Sequence, residues 1–166
     1  MAAGSTYTPI ATTTLGSTTT DYTFTAISSA YTDLVLIING NTSVNNDVFI
    51  QVGNGSIDSG SNYSYTFMYG DGSSAASARV SSSANMATGG IYSSGAVGTV
   101  IAQFMNYSNT STYKTMISRS NSSGYVQARV NLWRSTSAIN QIKIFGQSGM
   151  TFNSGCTFTL YGIAAA

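Results

Sequence analysis

The sequence predicts an all-β fold: an antiparallel β-sandwich of the jelly-roll type, built as a single domain. Strand-favouring Thr, Tyr, Val, Ile and Phe and turn-favouring Gly, Asn and Ser make up most of the 166 residues. Glu is absent, and no segment shows a sustained apolar repeat near 3.6 residues, so helices are not expected. About ten short alternating segments with turn signals every 8–12 residues are typical of a sandwich or jelly roll.

The N-terminal segment, residues 1–20, is expected to be extended, and residues 21–166 to form the sandwich. From Tyr7 to Thr20 it is rich in Thr and carries the only proline, Pro9. Proline cannot donate to a strand ladder, so the segment fits either an edge strand or an arm that reaches a neighbouring molecule.

Two strands are predicted next. Tyr22 and Phe24 alternate with Thr, and a turn then leads into a strand at Thr32–Asn39, so these two strands are expected to pair. Within the second strand the run Leu34–Ile38 is apolar on both faces, which predicts cover on both sides. A partner outside the sandwich core is therefore expected over one of them.

Seven further strands follow from alternating patterns between turn residues. They are predicted at Asp47–Val52, Asn62–Tyr69, Thr99–Tyr107, Tyr113–Ser118, Tyr125–Arg134, Ala138–Phe145 and Thr157–Ile163. The stretch Ser73–Ala96 is rich in small residues, and its pattern assigns no strand.

An aromatic ladder occupies one face of the strand at Asn62–Tyr69. Tyr63, Tyr65, Phe67 and Tyr69 recur every second residue, which places four rings in a row about 20 Å long at roughly 3.3 Å per residue. One interpretation is a core face whose tyrosine hydroxyls reach a polar rim. The other is a subunit interface or a platform on which a glycan stacks.

The strand at Tyr125–Arg134 has one apolar and one polar face. Its apolar row consists of Val126, Ala128, Val130 and Leu132. The opposite row of Gln127, Arg129, Asn131 and Trp133 is expected to point outward, which would make Trp133, with Arg129 and Arg134 nearby, an interface anchor. The alternative is an ordinary amphipathic strand whose single Trp covers a loop.

Few residues could carry catalysis, so the protein is not expected to be an enzyme. The chain has no His, one Cys and five carboxylates, namely Asp21, Asp33, Asp47, Asp58 and Asp71. A glycosidase with paired Asp residues is the only enzyme class that these groups could sustain, and the sequence disperses them among turns and strand starts. Neither a metal site nor a cofactor is expected, because metal-ligand clusters are absent and Gly70–Ala75, a formal dinucleotide fingerprint, precedes no helical pattern.

Charge and hydropathy limit the partners. A net charge of +1 with scattered basic residues argues against capture of nucleic acid, and the apolar runs are far shorter than the roughly 20 residues that span a bilayer. Cys156 is expected to be a small buried side chain, because a single cysteine forms no internal disulfide. With no secretory signal pattern, synthesis and folding in a cytoplasm are expected.

Several runs resemble a group of β-sandwich virion proteins from tailed phages, cyanophages in particular. They are Tyr22–Thr25, Tyr31–Leu36, Asn62–Phe67, Met105–Thr110 and Phe158–Ile163, and the resemblance extends from about Tyr7 to the end. It implies a homotrimeric cement, or decoration, protein on the outer capsid surface, with the major capsid protein as partner. The alternative it implies is a tail spike or fibre tip domain that binds host surface glycan. Because Met1 lies close to the sandwich and no shaft segment is visible, the cement protein is the expectation.

Overall fold

The computed structural model describes residues 6–91, 97–122 and 124–164. Over these ranges it contains thirteen β-strands and one 3₁₀ turn, Gln147–Gly149. The strands are β1 (Tyr7–Thr14), β2 (Asp21–Phe24), β3 (Asp33–Gly40), β4 (Asn46–Asn54), β5 (Ser56–Ile57), β6 (Tyr63–Gly70), β7 (Ala75–Ser83), β8 (Met86–Ile91), β9 (Gly98–Met105), β10 (Lys114–Ser122), β11 (Tyr125–Trp133), β12 (Gln141–Gly146) and β13 (Thr157–Ile163). Among these residues no helix has the length and apolar character needed to cross a membrane.

The strands form two antiparallel sheets packed as a sandwich, which confirms the predicted fold class. The larger sheet has eight strands in the order β1-β13-β3-β9-β10-β11-β6-β7. The smaller has the order β2-β12-β4-β5, and β8 also pairs with β4. The large sheet extends past the small one through β6 and β7, and the inner faces of these two strands are less buried than that of β11.

The hydrophobic core lies between the sheets. Alternate residues of β3, β9 and β13 face alternate residues of β4 and β12, as expected for strands that bury one side. In β3 the inward Leu34, Leu36 and Ile38 are fully buried. Phe152 and Phe158 meet edge to face with ring centroids 5.1 Å apart, a geometry that contributes about 0.5–1.5 kcal/mol beyond burial.

The second apolar face of β3 is shielded within its own sheet. Val35 points to the outer face, yet it is buried between its register neighbours Tyr161 on β13 and Gln103 on β9. Large cross-strand neighbours can shield a β-branched side chain without a further layer. Ile37, two residues on, stays half-buried. Cover for Val35 therefore needs no outside partner.

The first two predicted strands do not pair with each other, so that expectation was wrong. β2 pairs with β12 in the small sheet, whereas β3 lies between β13 and β9 in the large sheet. The connection crosses from one sheet to the other, and the Ile27 N–H donates to the Asn140 carbonyl on the way. Local alternation identifies such strands but does not select their partners.

The N-terminal segment forms an edge strand of the large sheet. β1 pairs with β13 from Tyr7 opposite Ile163 to Thr14 opposite Thr157, with an irregularity just after Pro9. Proline removes one ladder donor, which an edge position tolerates. The stretch with no predicted strand, Ser73–Ala96, contains β7 and β8, and residues 92–96 of it lie outside the described ranges.

Candidate functional site

The faces of β11 are reversed relative to the sequence expectation. Trp133 is only 3% exposed, and Gln127, Arg129 and Asn131 are buried with it between the sheets. Val126, by contrast, is 65% exposed on the outer face of the large sheet. The expectation that the polar row points outward was therefore wrong, because Arg129 and Asn131 find hydrogen-bond partners on the opposite sheet.

An ion pair anchors the buried polar row. Arg129 Nη2 lies 2.9 Å from both carboxylate oxygens of Asp47 on β4 and donates to Gln127 Oε1 at 2.6 Å. Nearby, Asn131 Oδ1 accepts the Ala87 N–H of β8 at 2.9 Å. Burial raises the pKa of Asp47, an effect that the adjacent Arg129 guanidinium opposes. These contacts tie the two sheets together where the large sheet emerges from beneath the small one.

Strand β8 comes close to this polar row because its middle residues, Ala87 to Gly90, are small. All six of its residues are buried. Gly89 has a φ of +100°, and a Cβ there would lie 2.1 Å from Ser120 Oγ and 3.2 Å from Gln127 Oε1. Only glycine therefore fits between the sheets at this point.

The aromatic ladder of β6 divides into a core part and a cleft part. Tyr63 is fully buried, and its hydroxyl accepts from the Val52 N–H at 3.2 Å and donates to the Asp58 carbonyl at 2.7 Å. The next three rungs, Tyr65, Phe67 and Tyr69, are only half-buried. The core interpretation of the ladder is therefore confirmed for Tyr63, whereas an interface or glycan platform at the three half-buried rungs stays a prediction.

The half-buried rings continue onto β11. Ring centroids are 6.3 Å apart for Tyr65 and Phe67, 6.5 Å for Phe67 and Tyr69, and 6.2 Å for Tyr69 and Tyr125. The Arg129 guanidinium lies 4.7 Å from the Phe67 centroid and 5.9 Å from that of Tyr65, within cation–π range. The result is a row of four rings with a fixed cation beneath it.

A concave site opens beside these rings, and we name it the ring cleft. It has a volume of about 300 Å³ and is lined by Asp47, Phe67, Tyr69, Tyr125, Gln127 and Arg129. Sequence reasoning singled out Phe67, Tyr69 and Arg129. It missed Asp47, Gln127 and Tyr125 because their approach depends on pairing between distant strands.

Trp133 and Arg134, the expected interface anchor, have structural contacts instead. Trp133 stacks on Tyr63 with ring centroids 6.4 Å apart, and its Nε1 donates to Asp58 Oδ2 at 2.7 Å. Arg134 donates to the Ser61 carbonyl at 2.7 Å and to the Ser81 carbonyl at 3.2 Å. Together they hold the loop before β6 against the end of β11.

The carboxylates are dispersed over the fold, each with its own local contacts. Asp21 pairs with Lys143 at 3.1 Å, and Asp33 accepts the Asn106 N–H at 2.8 Å. Asp71 accepts backbone N–H groups in the turn before β7, in place of the helix that a dinucleotide fingerprint requires. No group of three or more metal-ligating side chains occurs within residues 6–91, 97–122 and 124–164.

Cys156 is buried, as the sequence predicts. It is only 1% exposed and lies beneath Gly40, where a Cβ would come 2.3 Å from its Sγ. Burial raises the pKa of its thiol. The geometry fits a packing role.

An exposed apolar surface covers the outer side of the large sheet, opposite the ring cleft. We name it the outer patch; it consists of Met68, Ile117, Val126 and Val130, which are between 44% and 65% exposed. A groove of about 680 Å³ runs along one end of it, between Met68 and Val126 and over the small residues Gly70, Ala75 and Ala128. The apolar row of β11 was the sequence signal for this surface, although it was assigned to the interior.

Comparison with known proteins assigns no family. No protein-family model matches the chain, nor does any curated protein. Similar solved structures include an alginate lyase of Aplysia kurodai (TM-score 0.37, 10% identity, 84% of this chain and 72% of that one) and a galectin of Caenorhabditis elegans (TM-score 0.40, 8% identity, 93% and 96%). Domains LG4-5 of the mouse laminin α1 chain match with a TM-score of 0.34 and 17% identity over 90% of this chain and 40% of that one. Similarity at this level carries no argument about function.

Proposed function

We propose that this chain is a structural protein of a tailed-phage particle: a homotrimeric cement protein on the outer capsid surface, without enzymatic activity. The observation that carries the proposal is the outer patch. The resemblance of the sequence to tailed-phage virion proteins supports the capsid location and the homotrimeric state in this proposal.

The outer patch has the character of a protein-binding surface. Val130 and Ile117 are direct cross-strand neighbours, and Val126 lies on the same face of β11. Contiguous apolar surface of this kind marks interaction sites on soluble proteins. Complete burial of a Val, Ile or Met side chain contributes about 1.5–3 kcal/mol. The four side chains of the outer patch are 44–65% exposed, so docking would gain about half of that value from each, repeated by symmetry.

Charge around the outer patch suggests what the partner presents. Arg79 and Arg119 lie on the same outer face, opposite Thr66 and Ala128 in register, and both are exposed. An apolar capsid surface with an acidic rim would complement them.

The ring cleft is poorly suited to hydrolysis, which supports a non-enzymatic role. Asp47 is its one carboxylate, and it is bound to Arg129. Asp58, the next candidate, contacts Trp133 and lines a different surface depression from the ring cleft. Glycosidases hold two carboxyl groups about 5–9.5 Å apart across the bond they cleave.

The test combines oligomeric state with binding to the particle. The double variant Val126→Ser/Val130→Ser is compared with Val44→Ser, which changes an exposed valine outside the outer patch. We expect the wild type and the control to sediment as trimers and to bind capsid shells stripped of this protein, and the double variant to lose one or both properties. Monomeric wild-type protein, together with labelled antibody that decorates only tails, would favour the tail-tip alternative and refute the cement role.

A further inference from the structure

We propose that the ring cleft binds one or two neutral sugar rings of a surface glycan, which stack on Tyr69 and Tyr125 and hydrogen-bond to Asp47. The ring cleft lies on the inner face of the large sheet, whereas the outer patch lies on its outer face. The inference goes beyond the cement role and does not depend on it, because both surfaces can be occupied at once.

The rings offer stacking surface where the two sheets separate. Tyr69 stacks on Phe67 at an interplanar angle of 20°, and the Tyr125 ring follows, tilted by 47°. Tyr125 is 36% exposed. A pyranose has an apolar C–H face and a polar hydroxyl rim, so it matches side chains that have an aromatic face and a polar end.

The polar groups at the base of the cleft are held in place before any ligand arrives. The Arg129 side chain is only 4% exposed, and its Nη2 contacts both Asp47 and Gln127. Its guanidinium also packs over the Phe67 ring. Asp47, with a side chain 19% exposed, still presents carboxylate surface to the cleft. A carboxylate fixed in this way can accept hydrogen bonds from sugar hydroxyls with little loss of entropy.

The charge balance of the cleft favours a neutral sugar over an acidic one. The only two charged side chains in the lining, Asp47 and Arg129, neutralise each other. Since Arg129 is buried behind Asp47, an incoming anion would meet the carboxylate first and would be repelled. Uronic acids are therefore expected to bind worse than neutral hexoses.

The size of the cleft sets the size of the ligand. A volume of about 300 Å³ lies at the lower end of the range for small-molecule sites. One or two sugar rings fit such a space, and a longer glycan would continue along Phe67 and Tyr65.

Saturation-transfer NMR tests the inference directly. The probes are methyl glycosides of glucose, galactose and mannose, with methyl glucuronoside as the acidic comparator, each titrated into the full chain. We expect transfer to at least one neutral glycoside and weaker transfer to the glucuronoside. Tyr69→Ala and Tyr125→Ala should each weaken binding by up to about tenfold. Tyr113→Ala, which removes an exposed tyrosine outside the cleft, should leave binding unchanged.

Three results would overturn the inference: no transfer to any neutral glycoside, equal or stronger binding of the glucuronoside, or unchanged affinity in both cleft variants. Thermal unfolding of each variant identifies any that fails to fold. Tyr125 starts its strand at the surface, so Tyr125→Ala remains informative if Tyr69→Ala is unstable. Trimer formation and capsid attachment are measured separately, so failure of one proposal is distinguishable from failure of the other.

Discussion

Replacing Arg129 by Met tests the reversed faces of β11 most directly. Methionine keeps much of the length and bulk of the arginine stem but removes the guanidinium. The Asp47 carboxylate, 2.9 Å from Nη2 in the wild type, then loses its counter-charge in a largely buried position. Breaking a buried pair in this way costs about 3–5 kcal/mol. The Asp47 side chain is 19% exposed, so water can still stabilise part of its charge. We therefore expect a loss of unfolding free energy at the lower end of this range, about 3 kcal/mol.

This loss should depend on pH with a definite sign. Burial already holds the pKa of Asp47 above 3.8 in the folded protein, and removing Arg129 removes the main opposing influence. Because the pKa of Asp47 is higher in the folded than in the unfolded protein, the folded state takes up a proton first as the pH falls. The stability penalty of Arg129→Met is therefore complete at neutral pH and is relieved as the pH falls through the raised pKa towards 3.8. Arg129→Met should therefore be closer to wild type near pH 4 than at pH 7.

Urea unfolding followed by fluorescence provides the measurement, because Trp133, the single tryptophan, lies in the core. A double-mutant cycle with Asp47→Asn should show that the double variant loses less than the sum of the single losses, by about 2 kcal/mol. Arg79→Met, at an exposed arginine, should change stability by less than about 0.5 kcal/mol. If Arg129→Met costs under 1 kcal/mol at pH 7 or the cycle is additive, the buried pair does not stabilise the sandwich as argued.

Three further predictions concern individual side chains. Gly89→Ala should lower the free energy of unfolding in urea by about 3 kcal/mol or more, because it combines a positive φ with overlap on Ser120. Gly72→Ala has a positive φ in open space and should lower it by only about 1–2 kcal/mol. Partial burial acts to raise the pKa of Asp58, but its hydrogen bonds outweigh this effect and hold the pKa below 3.8. The melting temperature of the wild type should therefore fall as the pH drops below 3.8. The fall should be less steep in Asp58→Asn. Tyr63→Phe should cost about 1–3 kcal/mol by leaving a buried N–H unpaired. Because burial raises the pKa of Tyr63, wild-type stability should decline above pH 10, and the decline should be smaller in the variant.

Each of these has an outcome that contradicts its premise. Equal losses for the two glycine variants would mean that β8 can move away from the large sheet. An acid melting profile unchanged by Asp58→Asn would show that other carboxylates control the acid response. Alkaline profiles that coincide for wild type and Tyr63→Phe would remove the buried hydroxyl from the pH dependence.

Local alternation predicted the all-β class and most strands, since apolar and polar residues alternate in strands that bury one face. It failed where small residues form the strand. β8 runs Met-Ala-Thr-Gly-Gly-Ile, whose middle resembles a loop in composition, and these middle residues are small because the backbone at Gly89 passes close to Ser120 and Gln127. A strand of this kind is recognisable only once its neighbours are placed.

The candidate site was predicted only in part, for two physical reasons. Periodicity separates the faces of β11 but does not say which one is buried, and hydrophobicity selected the wrong face because Arg129 is neutralised by a residue on another sheet. The large Trp133 at the end of the polar row was the one local sign that this face could be the inner one. Asp47, 82 positions away from Arg129 along the chain, came into view only with the tertiary structure.

The position of β13 has a consequence for how the chain folds. This strand, near the C-terminal end, lies between β1 and β3, so Thr14 pairs with Thr157 and Asn39 pairs with the same residue from the other side. One end of the large sheet therefore assembles only after more than a hundred residues of intervening chain have closed into a loop. Proteins dominated by such non-local pairings fold in about milliseconds to seconds. Until β13 inserts, β1 and β3 each lack a neighbour, which makes the nascent chain most prone to aggregation just before the last strand docks.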